Sequence, residues 1–239
     1  MRKIILSISF ALISLRAAAQ SLSTPGVFNH ISVAASAGTT GLGFEVAVPL
    51  TAYLNIRTGY EKIPSIKMTT KIPYSLKGQS SKVKVEEKFS LDGWKILFDV
   101  YPSKYYIFHL TIGLYSGESV IVTAMNVTPL DDLLKSLPIG GFNIAVNDGH
   151  VSATMEVNKV KPYLGIGFGR AVPKRRMGVV IDLGVLFWGT PTVYENVTGR
   201  HLPVGYSDLD KIDKGGIMNT ISKIKAWPVL SVRLTGRLF

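Results

Sequence analysis

From Ile31 to the end of the chain, hydrophobic and polar residues alternate with a period of two, the spacing of strands whose two faces meet different surroundings. In Tyr163 to Gly169, Leu164, Ile166 and Phe168 point one way, and Tyr163 points the other with Gly165, Gly167 and Gly169. Met177 to Trp188 sets Val179, Ile181, Leu183, Val185 and Phe187 against Gly178, Asp182 and Gly184, and Tyr106 to Tyr115 repeats the pattern around His109, Thr111 and Gly113. Trp94 to Val100, Leu54 to Glu61, Leu42 to Val48, Ile31 to Ser36 and Leu230 to Leu238 complete a set of eight predicted strands. No run of 18 apolar residues follows the N-terminal segment, so no helical membrane span is predicted.

The connections decide which face is inside. Pro49 to Tyr53, Pro102 to Tyr105 and Pro173 to Arg176 are short turns, whereas Ile63 to Leu91, Gly117 to Lys161 and Gly189 to Pro228 are long, and Gly38 to Gly41 is a tight first loop. Short turns on one side and long loops on the other are the rhythm of a membrane barrel, with bulky apolar side chains toward lipid and glycine, hydroxyl and charged groups toward a narrow lumen. The predicted fold is all-β: a transmembrane eight-stranded antiparallel up-and-down β-barrel with three long extracellular loops. Closure leaves no strand edge unpaired in lipid, and an even strand number puts both termini on the short-turn side.

The first residues, MRKIILSISFALISLRAAAQ, have the basic start, short apolar run and small-residue end of a secretory signal peptide. Residues 1–19 are therefore expected to be cleaved before Gln20, leaving 20–239 as one barrel domain. Export argues against nucleic acid as a partner, although the net charge of +11 falls only to +8 when Arg2, Lys3 and Arg16 leave with the signal. Lipid and lipopolysaccharide phosphates are the expected partners of a basic surface in that setting. Cysteine is absent, which excludes a disulfide framework.

The predicted lumen holds Glu45, Arg57, Glu61, Lys95, Asp99, His109, Asp182, Arg233 and Arg237. A symmetric hairpin about Pro49 to Tyr53 sets Glu45 opposite Arg57, and Asp182 and Arg233 fall at similar heights on adjacent strands. Buried charges require partners, so an ion-paired plug is the first reading and a gated ion path the second. An eight-stranded barrel leaves room for little more than side chains, which favours the plug.

No catalytic, cofactor-binding or metal site is expected. Asp148 with His150, and His201 with Ser207 and Asp208, are loop groups whose spacing matches no catalytic signature. Gly165-x-Gly167-x-Gly169 lacks the strand-to-helix setting of a nucleotide loop. Lys67, Lys71, Lys77, Lys82, Lys84 and Lys88 crowd the first long loop, as a solvated hairpin extension or a phosphate-binding surface. Pro129 to Leu137 is read as a short amphipathic helix through Leu130, Leu133, Leu134 and Leu137.

The signal sequence before a glutamine, the strand-rich chain and the closing VLSVRLTGRLF resemble small outer-membrane β-barrel proteins, especially OmpA-like barrels of Bacteroidetes-type bacteria. That resemblance implies a bacterial outer-membrane location and insertion by the barrel-assembly machinery, with Phe239 as part of the assembly signal. It covers the whole mature chain but implies no activity. Phe239 shares its phase with Arg233, Thr235 and Arg237, so the register of the closing strand stays open. The functional expectation is a non-enzymatic envelope protein acting in structure, adhesion or assembly with a protein partner through its loops, ahead of a narrow porin or transporter and an embedded lipid-modifying enzyme.

Overall fold

The computed structural model describes residues 30–76, 79–103, 105–130, 136–139, 142–196, 201–202 and 217–238. The expected signal segment, Phe239, Lys77, Ser207 and Asp208 lie outside them.

Eight strands close into the barrel: β1 (Ser32–Gly38), β2 (Gly41–Pro49), β3 (Leu54–Lys62), β6 (Asp92–Val100), β7 (Phe108–Ser116), β12 (Val160–Phe168), β13 (Met177–Phe187) and β16 (Ala226–Arg237). All pairings are antiparallel between neighbours in this order, and β1 closes on β16 with Ser32 opposite Arg237. Seven of the eight strands run 9 to 12 residues, near the ~9–11 that a tilted strand needs to cross hydrocarbon.

The polarity is inverted relative to a water-soluble barrel. Phe44, Ile96, Ile112, Leu164, Val179 and Leu234 are exposed on the outside, while Glu45, Arg57, Asp99, His109 and Arg233 are buried inside. Aromatic rings gather at both ends of the strands: Trp94 lies 5.4 Å from Tyr60 and 6.3 Å from Phe44 at one end, and Phe108 lies 5.5 Å from Phe168 at the other. Two aromatic girdles flanking an apolar band are the exterior that a bilayer requires.

The three long connections build a second body above the barrel. Their strands β4 (Ile66–Leu76), β5 (Gln79–Phe89), β8 (Val120–Asn126), β11 (Ser152–Glu156), β14 (Thr192–Glu195) and β15 (His201–Leu202) form one antiparallel sheet in the order β15-β14-β11-β8-β5-β4. β9 (Ser136–Ile139) and β10 (Phe142–Ala145) make a separate hairpin, and helix α1 (Ile217–Ser222) packs against β5 and β8. Val85, Phe89, Val122, Met155, Trp188 and Ile221 belong to the apolar core of this upper body.

The helix expected over Pro129 to Leu137 is not formed as such: Leu130 lies outside any regular element and Leu137 is in a strand of the β9–β10 hairpin. Pairing with Ile144 satisfies the backbone at Leu137, which overrides the local four-leucine stripe. Leu133 and Leu134 lie outside the described residues.

Candidate functional site

Eight of the nine charged groups predicted for the lumen converge on one network, because inward-facing positions alternate along every barrel strand. Arg57 on β3 reaches three acids: its Nε donates to Asp99 Oδ1 (3.0 Å), and its Nη1 to Glu45 Oε2 (3.1 Å) and Asp182 Oδ2 (3.4 Å). Arg233 on β16, three strands round the ring from β3, joins two of these acids, through Nε to Asp182 Oδ2 (2.7 Å) and Nη1 to Glu45 Oε2 (3.4 Å). Lys95 bridges Glu45 Oε1 (2.7 Å) and Glu61. His109 Nε2 lies 3.2 Å from Asp182 Oδ1. All eight side chains are buried.

Four carboxylates thus face three cationic side chains in this network, with His109 set against Asp182. Hydroxyls satisfy the acids further: Thr111 donates to Asp99 (2.8 Å), and Ser36 and Thr40 to the two oxygens of Glu61 (3.1 and 2.7 Å). Three buried atoms take no hydrogen bond among the described residues: Asp99 Oδ2, Ser231 Oγ and Arg233 Nη2.

Apolar and aromatic layers close the lumen on each side of the charges. Leu97, Tyr115, Tyr163, Leu186 and Val229 pack together toward the long-loop end, with the two tyrosine rings 5.7 Å apart. Toward the short turns, the Tyr101 ring packs 5.0 Å from that of His109, tilted by 40°, and its hydroxyl accepts the Ala171 amide (3.2 Å). A cavity of about 10 Å³ above the plug borders Thr40, Glu61 and Lys161, room for about one water molecule. A cavity of about 350 Å³ below borders Asn55, Arg170 and Arg237 and shares no lining residue with it.

Two sequence expectations need correction. The β2–β3 hairpin pairs Pro49 with Asn55, so Glu45 faces Gly59 and Arg57 faces Ala47. The turn is centred one residue later than a symmetric Pro49 to Tyr53 loop would place it, with Leu50 and Thr51 both donating to the Leu54 carbonyl. The two-residue slip keeps both side chains on the lumen face, and the guanidinium spans the diagonal. Arg237 does not join the plug. It is half-buried at the short-turn rim, lining the lower cavity, with its backbone amide on Arg176.

Thr111, Tyr115, Tyr163 and the two small hydroxyls Ser36 and Thr40 complete the plug but carry no charge to single them out; their lumen phase is the signal that could have found them. Lys161 is buried at the upper end, donating to the Glu118 carbonyl (3.1 Å). His150 closes a tight hairpin over Asn147 to His150, with Asp148 and Gly149 at positive φ, and its Nδ1 lies 3.3 Å from Asn126 Oδ1. His201 lies on β15, and its expected partners lie outside the described residues. Gly165 and Gly167 face the crowded lumen: an added Cβ would stand 2.4 Å from the Tyr163 hydroxyl and 2.3 Å from His109 Nε2, respectively.

No protein-family model matches the chain, and no curated protein matches it. Among solved structures it is similar to CarO2 of Acinetobacter baumannii, at 18% identity over 88% of this chain and 99% of that one, with a TM-score of 0.49. It is also similar to CarO of Acinetobacter baumannii, at 16% identity over 86% of this chain and 96% of that one (TM-score 0.46). A major outer membrane protein from Thermus thermophilus is similar at 16% identity over 87% and 98% of the respective chains (TM-score 0.36). The closed barrel of this chain rests on its own strand pairing, each of its eight strands bonded to two neighbours.

Proposed function

We propose that this chain is a non-enzymatic integral outer-membrane protein whose lumen is plugged, and whose upper sheet acts in envelope structure, adhesion or assembly with a partner. The layered closure of the lumen carries this reading: an ion-pair network bonded across five strands, with packed side chains above and below it. In planar bilayers the purified protein is expected to give no reproducible conductance steps above leak. A stable channel of uniform step size would overturn the plug in favour of a narrow pore, the reading that the three unbonded buried atoms support.

The upper sheet offers a surface for the lipid partner. In the β4–β5 hairpin Lys67 faces Lys88 and Lys71 faces Lys84, with Lys82 next along the same exposed face. Like charges directly opposite destabilise a strand pair unless an anion lies between them, and Glu86, 3.0 Å from Lys67, is the one acid on this face of the hairpin among its described side chains. Lipopolysaccharide phosphates are the proposed counter-charge. Replacing Lys71, Lys84 and Lys88 together with serine is expected to weaken capture on a lipopolysaccharide-coated surface several-fold, and the difference should shrink as salt rises, because exposed charges are screened. Equal capture by both proteins at low salt would exclude this surface.

A further inference from the structure

The plug leaves unused an apolar groove of about 750 Å³ at the junction of barrel and upper sheet. Its origin is topological. Three of the four hairpins at that end continue upward into the second sheet or its helix, whereas β1 and β2 are joined by Thr39 and Thr40 alone. The wall therefore stops at that turn, and a notch opens between it and the inner face of β4 and β5. Trp227 and Phe89, with rings 5.7 Å apart, line it together with Ile63, Met68 and Ile224.

The groove is continuous with the lipid-facing band. Leu42 lines it, is 62% exposed, and shares the outward phase of Phe44 on β2. A chain lying against the barrel wall could enter sideways without crossing water. The rim is basic: Lys62 and Lys225 are exposed sequence neighbours of the lining residues Ile63 and Ile224. Lys62 meets Asp92 only at 3.8 Å, between an exposed and a part-exposed group.

We propose that this groove binds a single long acyl chain with an anionic head, taken laterally from the bilayer, its tail along Trp227 and its head among the rim lysines. A volume of this size lies within the ~300–1,000 Å³ range of small-molecule sites. The tail exchanges one apolar medium for another, so selectivity over bulk lipid comes from the fit of the groove and from the lysines. This proposal stands apart from the plugged lumen, and conductance has no bearing on it.

The test uses the full protein in phosphatidylcholine nanodiscs, with Trp94→Phe removing the indole that already faces lipid. The probe is stearic acid brominated at mid-chain, which quenches indole emission on contact. Expected is saturable quenching that excess unlabelled stearate reverses, weakened by at least about ten-fold in Ala37→Phe, which fills the mouth of the groove. The methyl ester of the same acid should bind several-fold more weakly, and Lys62→Gln with Lys225→Gln should remove that preference for the acid. Quenching that rises linearly with probe and resists stearate would mean simple partitioning and overturn the proposal. Absence of quenching, as when another segment of the chain fills the groove, overturns it equally. Reversal by stearate is read in the parent protein, so the outcome does not depend on assembly of Ala37→Phe.

Discussion

Replacing Arg57 with alanine is expected to cost the barrel about 3–5 kcal/mol of unfolding free energy, the range for removing one partner of a buried ion pair. The cost comes less from lost attraction than from the acids left behind. Arg57 is bonded to Asp99, Glu45 and Asp182, which sit on three different strands. Glu45 keeps Lys95 and Arg233, and Asp182 keeps Arg233, but the nearest remaining cationic candidate to Asp99 is His109 at 3.9 Å. Arg57→Lys should fall between the two, since one ammonium cannot reproduce a planar fork that reaches three carboxylates. Adding Asp99→Asn to Arg57→Ala should recover part of the loss, because it removes the acid left most exposed to repulsion. Urea unfolding in lipid vesicles, followed by tryptophan emission and by gel mobility of the unheated protein, measures the three variants against the parent. A difference below about 1 kcal/mol for Arg57→Ala, with no recovery in the double variant, would show that the network does not hold the lumen shut.

The barrel was legible because lipid and lumen impose opposite polarity on alternate residues, so that Leu164, Ile166 and Phe168 separate from Gly165 and Gly167 without any long-range information. Eight of the nine predicted lumen charges converge for the same reason, since a strand seven or more residues long fixes the phase of its side chains. What phase cannot fix is height. Arg237 has the inward phase of Arg233 but lies four residues nearer the short-turn end, where the wall gives way to the rim. The slip of Glu45 from Arg57 to Gly59 is likewise a matter of turn geometry within Pro49 to Asn55, invisible to periodicity because a shift of two leaves both faces unchanged. The upper sheet was the least legible part. Its pairings join strands from three separate connections, such as Met155 beside Val122 and Val193, and no local pattern announces which distant segment will cover an apolar face. The reading of the lysine-rich first loop as a hairpin extension was its one early trace, and β4 and β5 pair in that way.

The glycines of the lumen should divide into two classes when a single methyl group is added. At Gly113 on β7 the new Cβ would stand 2.2 Å from the Ile96 carbonyl oxygen and 2.8 Å from Leu97 Cα, both backbone atoms of the paired strand β6. Neither can rotate away, so Gly113→Ala must push β6 from β7 within a closed ring that has no free edge to absorb the shift. The expected result is a loss of about 3 kcal/mol or more, at or above the upper range for overpacking, seen as a low yield of the compact gel form after refolding. At Gly167 on β12 the obstacles are His109 Nε2 (2.3 Å) and Asp182 Oδ1 (2.4 Å), the ends of two side chains. These can turn aside, but only by giving up the 3.2 Å contact between them. Gly167→Ala should therefore assemble, at a cost of about 1–3 kcal/mol, with the disturbance confined to the plug. Combining Gly167→Ala with His109→Ala gives the methyl group room and should return part of that loss, whereas no side-chain truncation on β6 should rescue Gly113→Ala. Equal defects at the two glycines, or rescue of Gly113→Ala by Leu97→Ala, would place the constraint in side-chain packing rather than in the closeness of the two backbones.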